Sequence, residues 1–166
     1  MHNRLFFVCP ADRLESIINT KFRGVNHYYT SLGDSVIFDH NTVGQIKRLI
    51  IKNNIKEIFF VLSNNNPIVL DALGNQEYAR ITKMTDFYRN LKVDNKYPLV
   101  LWHINKNQLS VITPHLSNKI KELEKALSHT FMREIKIEGR IYSGSDFGFY
   151  SIKRKDLIWN EEFHLN

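Results

Sequence analysis

The chain has 166 residues, of which 43% are hydrophobic and 24% charged, with a formal net charge of +6. This composition supports one apolar core and one domain over residues 1–166, and it excludes a disordered chain. The single cysteine excludes an intramolecular disulfide and a classical zinc finger. No apolar run is long enough to cross a bilayer and the N-terminus lacks signal-peptide character, so we expect a cytoplasmic protein without a membrane partner.

The first third of the chain alternates strand and helix patterns. Arg4–Cys9 is a continuous apolar run, which is typical of a strand buried on both faces of a parallel sheet. Pro10 suits the start of a helix, which the spacing of its apolar residues continues up to Gly24. The next predicted elements are a strand at Asn26–Leu32, a helix from Asp39 or Asn41 to Asn53-Asn54, and a strand at Lys56–Leu62.

The remaining sequence continues the alternation. The predicted elements are a loop at Ser63–Pro67, a helical turn at Ile68–Leu73, a helix at Gln76–Leu91, a strand at Pro98–Ile104, a helix capped by Ser117, and extended segments at Glu134–Tyr142 and Phe147–Ile152. Strands that alternate with helices indicate an α/β fold with a mainly parallel central sheet of four to five strands flanked by helices. Ligands of such folds bind beyond the carboxyl ends of the strands, which selects the segments Cys9–Arg13, Thr30–Asp34 and Ser63–Pro67.

The first of these segments carries a recognisable motif. Cys9-Pro10-Ala11-Asp12-Arg13 has the Cys-x-x-Asp-Arg pattern, and the chain here resembles the β-class carbonic anhydrases. The resemblance implies that Cys9 stands where that family has a zinc ligand. It also implies that Asp12 and Arg13 stand where a pair of residues orients the zinc-bound water.

Further segments follow the same family in order. Thr30–Asp34 takes the place of the family's Arg-Asn-Ala-Gly-Asn turn and keeps only Gly33, while Ile137–Tyr142 followed by Gly148 is similar to its C-terminal hairpin. The family's second metal motif, Gly-His-x-x-Cys-Gly, falls on Ser63–Ile68. The resemblance therefore implies that Asn64 replaces the histidine ligand and Pro67 replaces the second cysteine ligand.

Zinc catalysis needs three protein ligands and one open position, and Cys9 alone keeps a ligand-type side chain. We therefore expect no metal and no cofactor. A substitute site built from Cys9, Asp12 and His103 is the alternative, because His103 lies near the carboxyl end of the predicted fourth strand.

Three hypotheses for function follow from the resemblance. The first is a non-catalytic, zinc-free protein with a binding or structural role. The second is an enzyme that acts on a small anionic substrate through Asp12 and Arg13, with the Cys9 thiolate as a further candidate, and the third is a carbonic anhydrase with the atypical zinc site. In each of them the predicted crevice is lined by Cys9, Ser31, Gly33, Ser63, Asn64 and Pro67.

Four expectations concern single residues and partners. Asp12 and Arg13 are expected to form an ion pair at the mouth of the crevice. Cys9 is either a small buried hydrophobic residue or a reactive thiol with a lowered pKa at a helix N-terminus. The 18 Phe and Tyr residues exceed what a small core needs, which favours a homodimer. The basic residues lie on predicted helix faces without a nucleic-acid motif, so the charge alone gives no support for nucleic-acid binding.

Overall fold

The structure is a computed structural model that describes residues 2–73, 104–128 and 135–152, together with the isolated residues 77, 85, 88, 89 and 130. Its strands are β1 (Asn3–Val8), β2 (Val25–Thr30), β3 (Glu57–Ser63), β4 (Lys136–Ser143) and β5 (Gly148–Ile152). Its α-helices are α1 (Glu15–Lys21), α2 (His40–Asn53), α3 (Pro67–Leu73) and α4 (Ile104–Leu127), with 3₁₀ turns at Pro10–Asp12 and Leu32–Asp34.

The strands described form one sheet in the order β2-β1-β3-β4-β5. The pairs β1/β2, β1/β3 and β3/β4 are parallel, and β4/β5 is antiparallel. The predicted α/β fold with a mainly parallel sheet of four to five strands is confirmed. Because β2 and β3 lie on opposite sides of β1, the strand order reverses between β1 and β3, and the carboxyl ends of these two strands flank a topological switch point.

Aromatic residues fill both faces of the two central strands. Phe6 lies beside Phe59 and Phe7 beside Phe60 in the β1/β3 register, and each pair stacks, with ring centroids 5.2 and 4.5 Å apart. Phe6 faces α1, whereas Phe7 faces the side covered by α2 and α4. Much of the aromatic content therefore lies in the core, so aromatic abundance is not by itself an argument for an interface.

The helices follow from apolar spacing and from local caps. Asp39 caps α2 by accepting a hydrogen bond from Thr42 N at 2.7 Å, and Asn54 ends that helix in the left-handed conformation. Both ends of this helix agree with the sequence prediction, since Asp and Asn favour these two roles. The predicted strands at Lys56–Leu62 and Glu134–Tyr142 are confirmed as β3 and β4 within one or two residues.

Four predicted elements differ from the structure or lie wholly or partly outside it. Pro10 begins a short 3₁₀ turn that breaks at Arg13, whose φ is 52°, and the α-helix starts only at Glu15. Ser117 is not a helix cap, because it lies inside α4, where buried residues recur at helical spacing from Ile112 to Leu127. Residues 98–103 of the predicted fourth strand lie outside the described residues, as does most of the predicted helix at 76–91, and Ile104 is helical.

Within the ranges that the structure describes, none of the helices combines the length and the apolar character required to cross a membrane.

Candidate functional site

Three loops meet at the carboxyl edge of the sheet, as the sequence predicts. Val8 at the end of β1 is in register with Thr30 of β2 and with Val61 of β3. The segments that follow these strands therefore emerge side by side at one edge. The predicted proximity of the three segments is confirmed, whereas their role in binding remains a prediction.

Cys9 is fully buried directly after β1. Its Sγ accepts a hydrogen bond from the backbone N–H of Gly33 at 3.1 Å, and Gly33 adopts a left-handed conformation with φ of 57°. Burial raises the pKa of the Cys9 thiol, and the Gly33 N–H opposes this only in part. The reactive-thiol interpretation with a lowered pKa is therefore wrong, because desolvation outweighs the local backbone dipoles.

Asp12 joins the loop after β1 to the end of β3. Its Oδ2 accepts a hydrogen bond from Ser63 N at 2.8 Å. Burial raises the pKa of the Asp12 carboxyl, while the Ser63 N–H and the neighbouring Asn66 side chain lower it. Asp12 is thus a half-buried acceptor that serves the backbone of an adjacent strand.

Arg13 does not pair with Asp12. Its side chain is exposed, its backbone is left-handed with φ of 52°, and the Asp12 carboxylate is directed to Ser63 N. The expected ion pair is therefore wrong. The break between the 3₁₀ turn and α1 falls at Arg13, so the two side chains do not share one helical turn as the sequence prediction assumed.

The other predicted crevice residues occupy the same edge in different settings. Ser31 is half-buried, and its Oγ has no hydrogen-bond partner in the described part of the chain. Ser63 accepts a hydrogen bond from Asn65 N on its Oγ at 3.2 Å. Asn64 is half-buried with an unpartnered Oδ1, and Pro67 is exposed as the first residue of α3.

Asn66 is a buried residue of this edge that the sequence analysis treated only as part of a turn. Its Oδ1 accepts hydrogen bonds from Ile68 N and Val69 N, both at 3.0 Å, so it caps α3. Its amide lies close enough to Cys9 to lower the pKa of the thiol, although Nδ2 forms no hydrogen bond of standard geometry within the described structure. An Asn directly before a Pro is a helix-start signal, so this role could have been predicted.

Asp34 and His115 are two further buried polar residues of this edge, and the sequence analysis assigned neither an individual role in the site. Asp34 is fully buried with φ of 53°, and neither carboxylate oxygen has a hydrogen-bond partner within the described structure. Burial raises its pKa well above the ordinary carboxyl range; Asp12 raises it further, and Lys119 opposes this. His115 Nε2 lies 2.9 Å from the Gly33 carbonyl oxygen, and burial lowers the pKa of its imidazole to about 4.

These pKa shifts share one cause, because burial disfavours the charged form of each group. Burial favours the uncharged thiol of Cys9, the uncharged imidazole of His115 and the protonated carboxyl of Asp34. The interior of the site therefore favours the neutral form of each of these groups, and Cys9 and His115 both bond to the backbone of Gly33.

The residues described do not fit a zinc site of the kind that the resemblance implies. They include no group of three or more His, Cys, Asp or Glu side chains placed to hold a metal ion. Pro67 has no ligand atom, and Asn64 stands in place of the implied histidine. His103 lies outside the described residues, so the alternative site with Cys9 and Asp12 remains a prediction.

No family model matches the chain, and no curated protein matches its sequence. Solved β-carbonic anhydrase structures do match its fold. The CafA enzyme of Aspergillus fumigatus matches with a TM-score of 0.75 and 15% identity, covering 93% of this chain and 77% of that one. Wild-type CafD from the same fungus matches with a TM-score of 0.72 and 14% identity, covering 92% and 90%.

A third structure is one of two tetrameric β-carbonic anhydrases from Sordaria macrospora, with a TM-score of 0.68 and 15% identity, covering 91% of this chain and 80% of that one. The chain therefore has a β-carbonic anhydrase-like fold. At these identities the likeness establishes the fold, and the chemistry has to be argued from the side chains of this chain.

Proposed function

We propose that this protein is a zinc-free, non-catalytic relative of the β-carbonic anhydrases that binds a small ligand at the carboxyl edge of its sheet. The observation that carries the proposal is Pro67, which has no ligand atom and begins α3 at the position where the resemblance implies the second cysteine ligand. Cys9 keeps a ligand-type side chain, but burial raises the pKa of its thiol. Zinc binds the thiolate, so a raised pKa works against metal binding.

The positions that follow β3 support the same conclusion. Asn64 and Pro67 stand where the resemblance implies a histidine and a cysteine. Pro67 instead begins α3, and Asn66 before it caps this helix through two backbone N–H groups. The loop that would carry two metal ligands is thus organised as a helix start.

The hypothesis of a small anionic substrate has less support from the side chains. Asp12 and Asp34 both lie at this edge, and each has a pKa raised by burial. Lys119 lies near Asp34, but its Nζ donates to the Val36 carbonyl at 3.0 Å and to Glu122 at 2.8 Å. An anion would meet carboxyl groups here, and the nearby lysine is already committed to other acceptors.

We also propose that the chain self-associates as a homodimer. The matched structures include tetrameric enzymes, and several apolar side chains of this chain are exposed, with Ile51 and Phe147 each at 67%. Light scattering at micromolar concentration should give twice the mass of one chain. A monomeric mass would contradict the homodimer.

Metal analysis tests the zinc-free assignment. Protein purified without chelators should contain far less than one zinc per chain and should not hydrate carbon dioxide above the buffer rate. A Cys9→Ser variant is the matched control, because adventitious surface zinc would persist in it. Close to one zinc per chain that disappears in Cys9→Ser would overturn the proposal.

A further inference from the structure

The turn between β4 and β5 holds a phenylalanine in an unfavourable setting. Phe147 has a positive φ of 54°, a backbone conformation that bulky residues rarely adopt. Its side chain is 67% exposed, and it belongs to neither apolar cluster of the described residues. Backbone strain and an exposed aromatic ring thus coincide at one residue, and core packing does not explain either. Such outliers concentrate at functional sites.

The next aromatic residue of the hairpin is placed differently. The ring of Phe149 packs against those of Phe22 and Tyr142, with centroids 5.4 and 5.1 Å apart. Phe149 therefore joins this hairpin to the core on the α1 side of the sheet. The exposure of Phe147, two residues earlier, is a property of the turn itself.

A cleft of about 170 Å³ opens beside the same turn. Its apolar lining comes from Leu109, Ile141 and the ring of Tyr150, and its polar lining includes the turn residues Ser145 and Asp146. A cavity of about 150 Å³ with apolar walls holds a benzene ring, so the cleft has the size of one phenyl side chain. Phe147 does not line the cleft of its own chain.

The hairpin has the composition of an interface core. Residues 141–152 carry one charged side chain, that of Asp146, whereas 24% of the whole chain is charged. Aromatic enrichment and depletion of charge distinguish the centres of protein–protein interfaces. Asp146 accepts hydrogen bonds from Gly148 N and from the Tyr150 hydroxyl, so its carboxylate keeps these partners when a second chain approaches.

We propose that Phe147 of each subunit inserts into this cleft of a second copy of the chain. The inference rests on the proposed homodimer and specifies its contact. The exposed ring and the cleft belong to one turn, so a two-fold axis beside the turn brings each ring to the other subunit's cleft. The phenyl ring of one subunit then completes the carboxyl edge of the other, next to Asn64.

A second copy fits this surface better than an unrelated partner. An unrelated protein would need one feature that fills the cleft and another that receives the ring. A second copy supplies both through symmetry, and the contact is made twice. The strain at Phe147 is then offset by burial of the ring in the dimer, which a single chain does not provide.

Light scattering of the full chain over a dilution series tests the contact. Phe147→Ser should raise the dimer dissociation constant at least about a hundredfold, because the symmetry removes two buried aromatic rings with one substitution. Ile51→Ser is the matched control, since Ile51 is equally exposed but lies on α2, and it should leave the dissociation constant unchanged. Both replaced side chains are exposed in the single chain, so each variant should fold.

Photochemical cross-linking locates the ring. The photoreactive analogue p-benzoylphenylalanine is incorporated at position 147, and this protein is mixed with parent chains labelled with ¹⁵N. Irradiation should join the unlabelled position 147 to labelled peptides that contain Asn64, Leu109 or Ile141, and mass spectrometry identifies them. Cross-links to labelled peptides elsewhere, or within one chain alone, would overturn the inference.

The outcomes separate this contact from the homodimer itself. A parent protein that stays dimeric as Phe147→Ser has a homodimer built on another surface, which overturns the inference and leaves the proposed homodimer standing. A monomeric parent overturns both. Dissociation by Phe147→Ser but not by Ile51→Ser, together with cross-links to the cleft, supports the contact.

Discussion

The carboxylate of Asp12 holds the backbone of Ser63, with Ser63 N donating to Asp12 Oδ2 at 2.8 Å. This bond connects the loop after β1 with the end of β3, across the switch point of the sheet. The resemblance assigns Asp12 and Arg13 to orienting a metal-bound water. In this structure the Asp12 carboxylate instead accepts a hydrogen bond from the backbone of Ser63. Asp12 can fulfil this role without a metal.

The first prediction separates hydrogen bonding at Asp12 from its charge. Asp12→Ala leaves Ser63 N without its partner and should lower the free energy of unfolding by about 1–2 kcal/mol. Asp12→Asn keeps an acceptor oxygen and should cost less than about half of that. Urea unfolding of the three proteins measures this, and equal losses for Ala and Asn would contradict the role of the hydrogen bond.

A second prediction concerns the backbone at Arg13. Its φ of 52° is unfavourable for a residue with a Cβ, whereas glycine adopts it readily. Arg13→Gly should therefore raise the free energy of unfolding by about 0.5–1 kcal/mol, in spite of the added freedom of the unfolded chain. Because Arg13 is exposed and unpaired with Asp12, Arg13→Ala should change stability by less than about 0.5 kcal/mol. A loss of several kcal/mol in Arg13→Ala would restore the expected ion pair.

The fold could be predicted because its signals are local. Arg4–Cys9 and Lys56–Leu62 are short apolar runs flanked by turn residues, a pattern typical of strands that are buried on both faces of a parallel sheet. The edge at which the loops meet follows from the parallel order of the strands.

The chemistry of the edge could not be predicted in the same way. Asp34 follows a glycine at the end of a strand and has the sequence signature of an exposed turn residue, yet it is fully buried. His115 contacts Gly33 across 82 residues of sequence, so nothing near either residue in the chain indicates the contact. The predicted pairing of Asp12 with Arg13 failed because a single left-handed residue redirects the chain.

A third prediction concerns the reactivity of Cys9, the only thiol in the chain. The thiol is fully buried and burial raises its pKa, so little accessible thiolate exists in the folded protein. Alkylation by iodoacetamide at pH 8 should be slower in the folded protein than in urea by on the order of a hundredfold. Mass spectrometry follows the reaction, and similar rates in the two states would show that the thiol is accessible.

The fourth prediction concerns Asp34, which buries a carboxyl group without hydrogen-bond partners in the described structure. Because its pKa is raised in the folded state, its contribution to stability is fully present below the ordinary carboxyl pKa of about 3.9 and is lost as the pH rises through the folded-state pKa. Asp34→Asn removes this loss and tolerates the φ of 53°, so it should stabilise the protein at pH 7 by about 1–2 kcal/mol.

The stabilisation by Asp34→Asn should disappear near pH 3, where Asp34 is protonated in both states. Asp39→Asn is the control, because the pKa of that exposed carboxyl is lowered by its hydrogen bonds to Thr42 and its pH dependence has the opposite sign. Thermal unfolding between pH 3 and pH 8 compares the two variants. A stabilisation by Asp34→Asn that is the same at every pH would point to a cause other than ionisation.

The last prediction concerns acid sensitivity and His115. Its Nε2 donates to the Gly33 carbonyl, and burial holds the imidazole pKa at about 4, below its ordinary value of 6.5. The unfolded chain therefore binds a proton at higher pH than the folded chain, so the stability contribution of neutral His115 is fully present above about pH 6.5 and is lost as the pH falls toward 4. A shift of this size corresponds to about 3 kcal/mol at pH 4.

His115→Gln keeps an N–H donor but does not titrate, so the difference in unfolding free energy between parent and variant should change by about that amount between pH 7 and pH 4. Because Asp12 and Asp34 change stability in the opposite direction over this range, the difference between the two proteins, measured by urea unfolding at each pH, is the relevant quantity. A difference that does not vary with pH would show that the buried imidazole is not the acid-sensitive group.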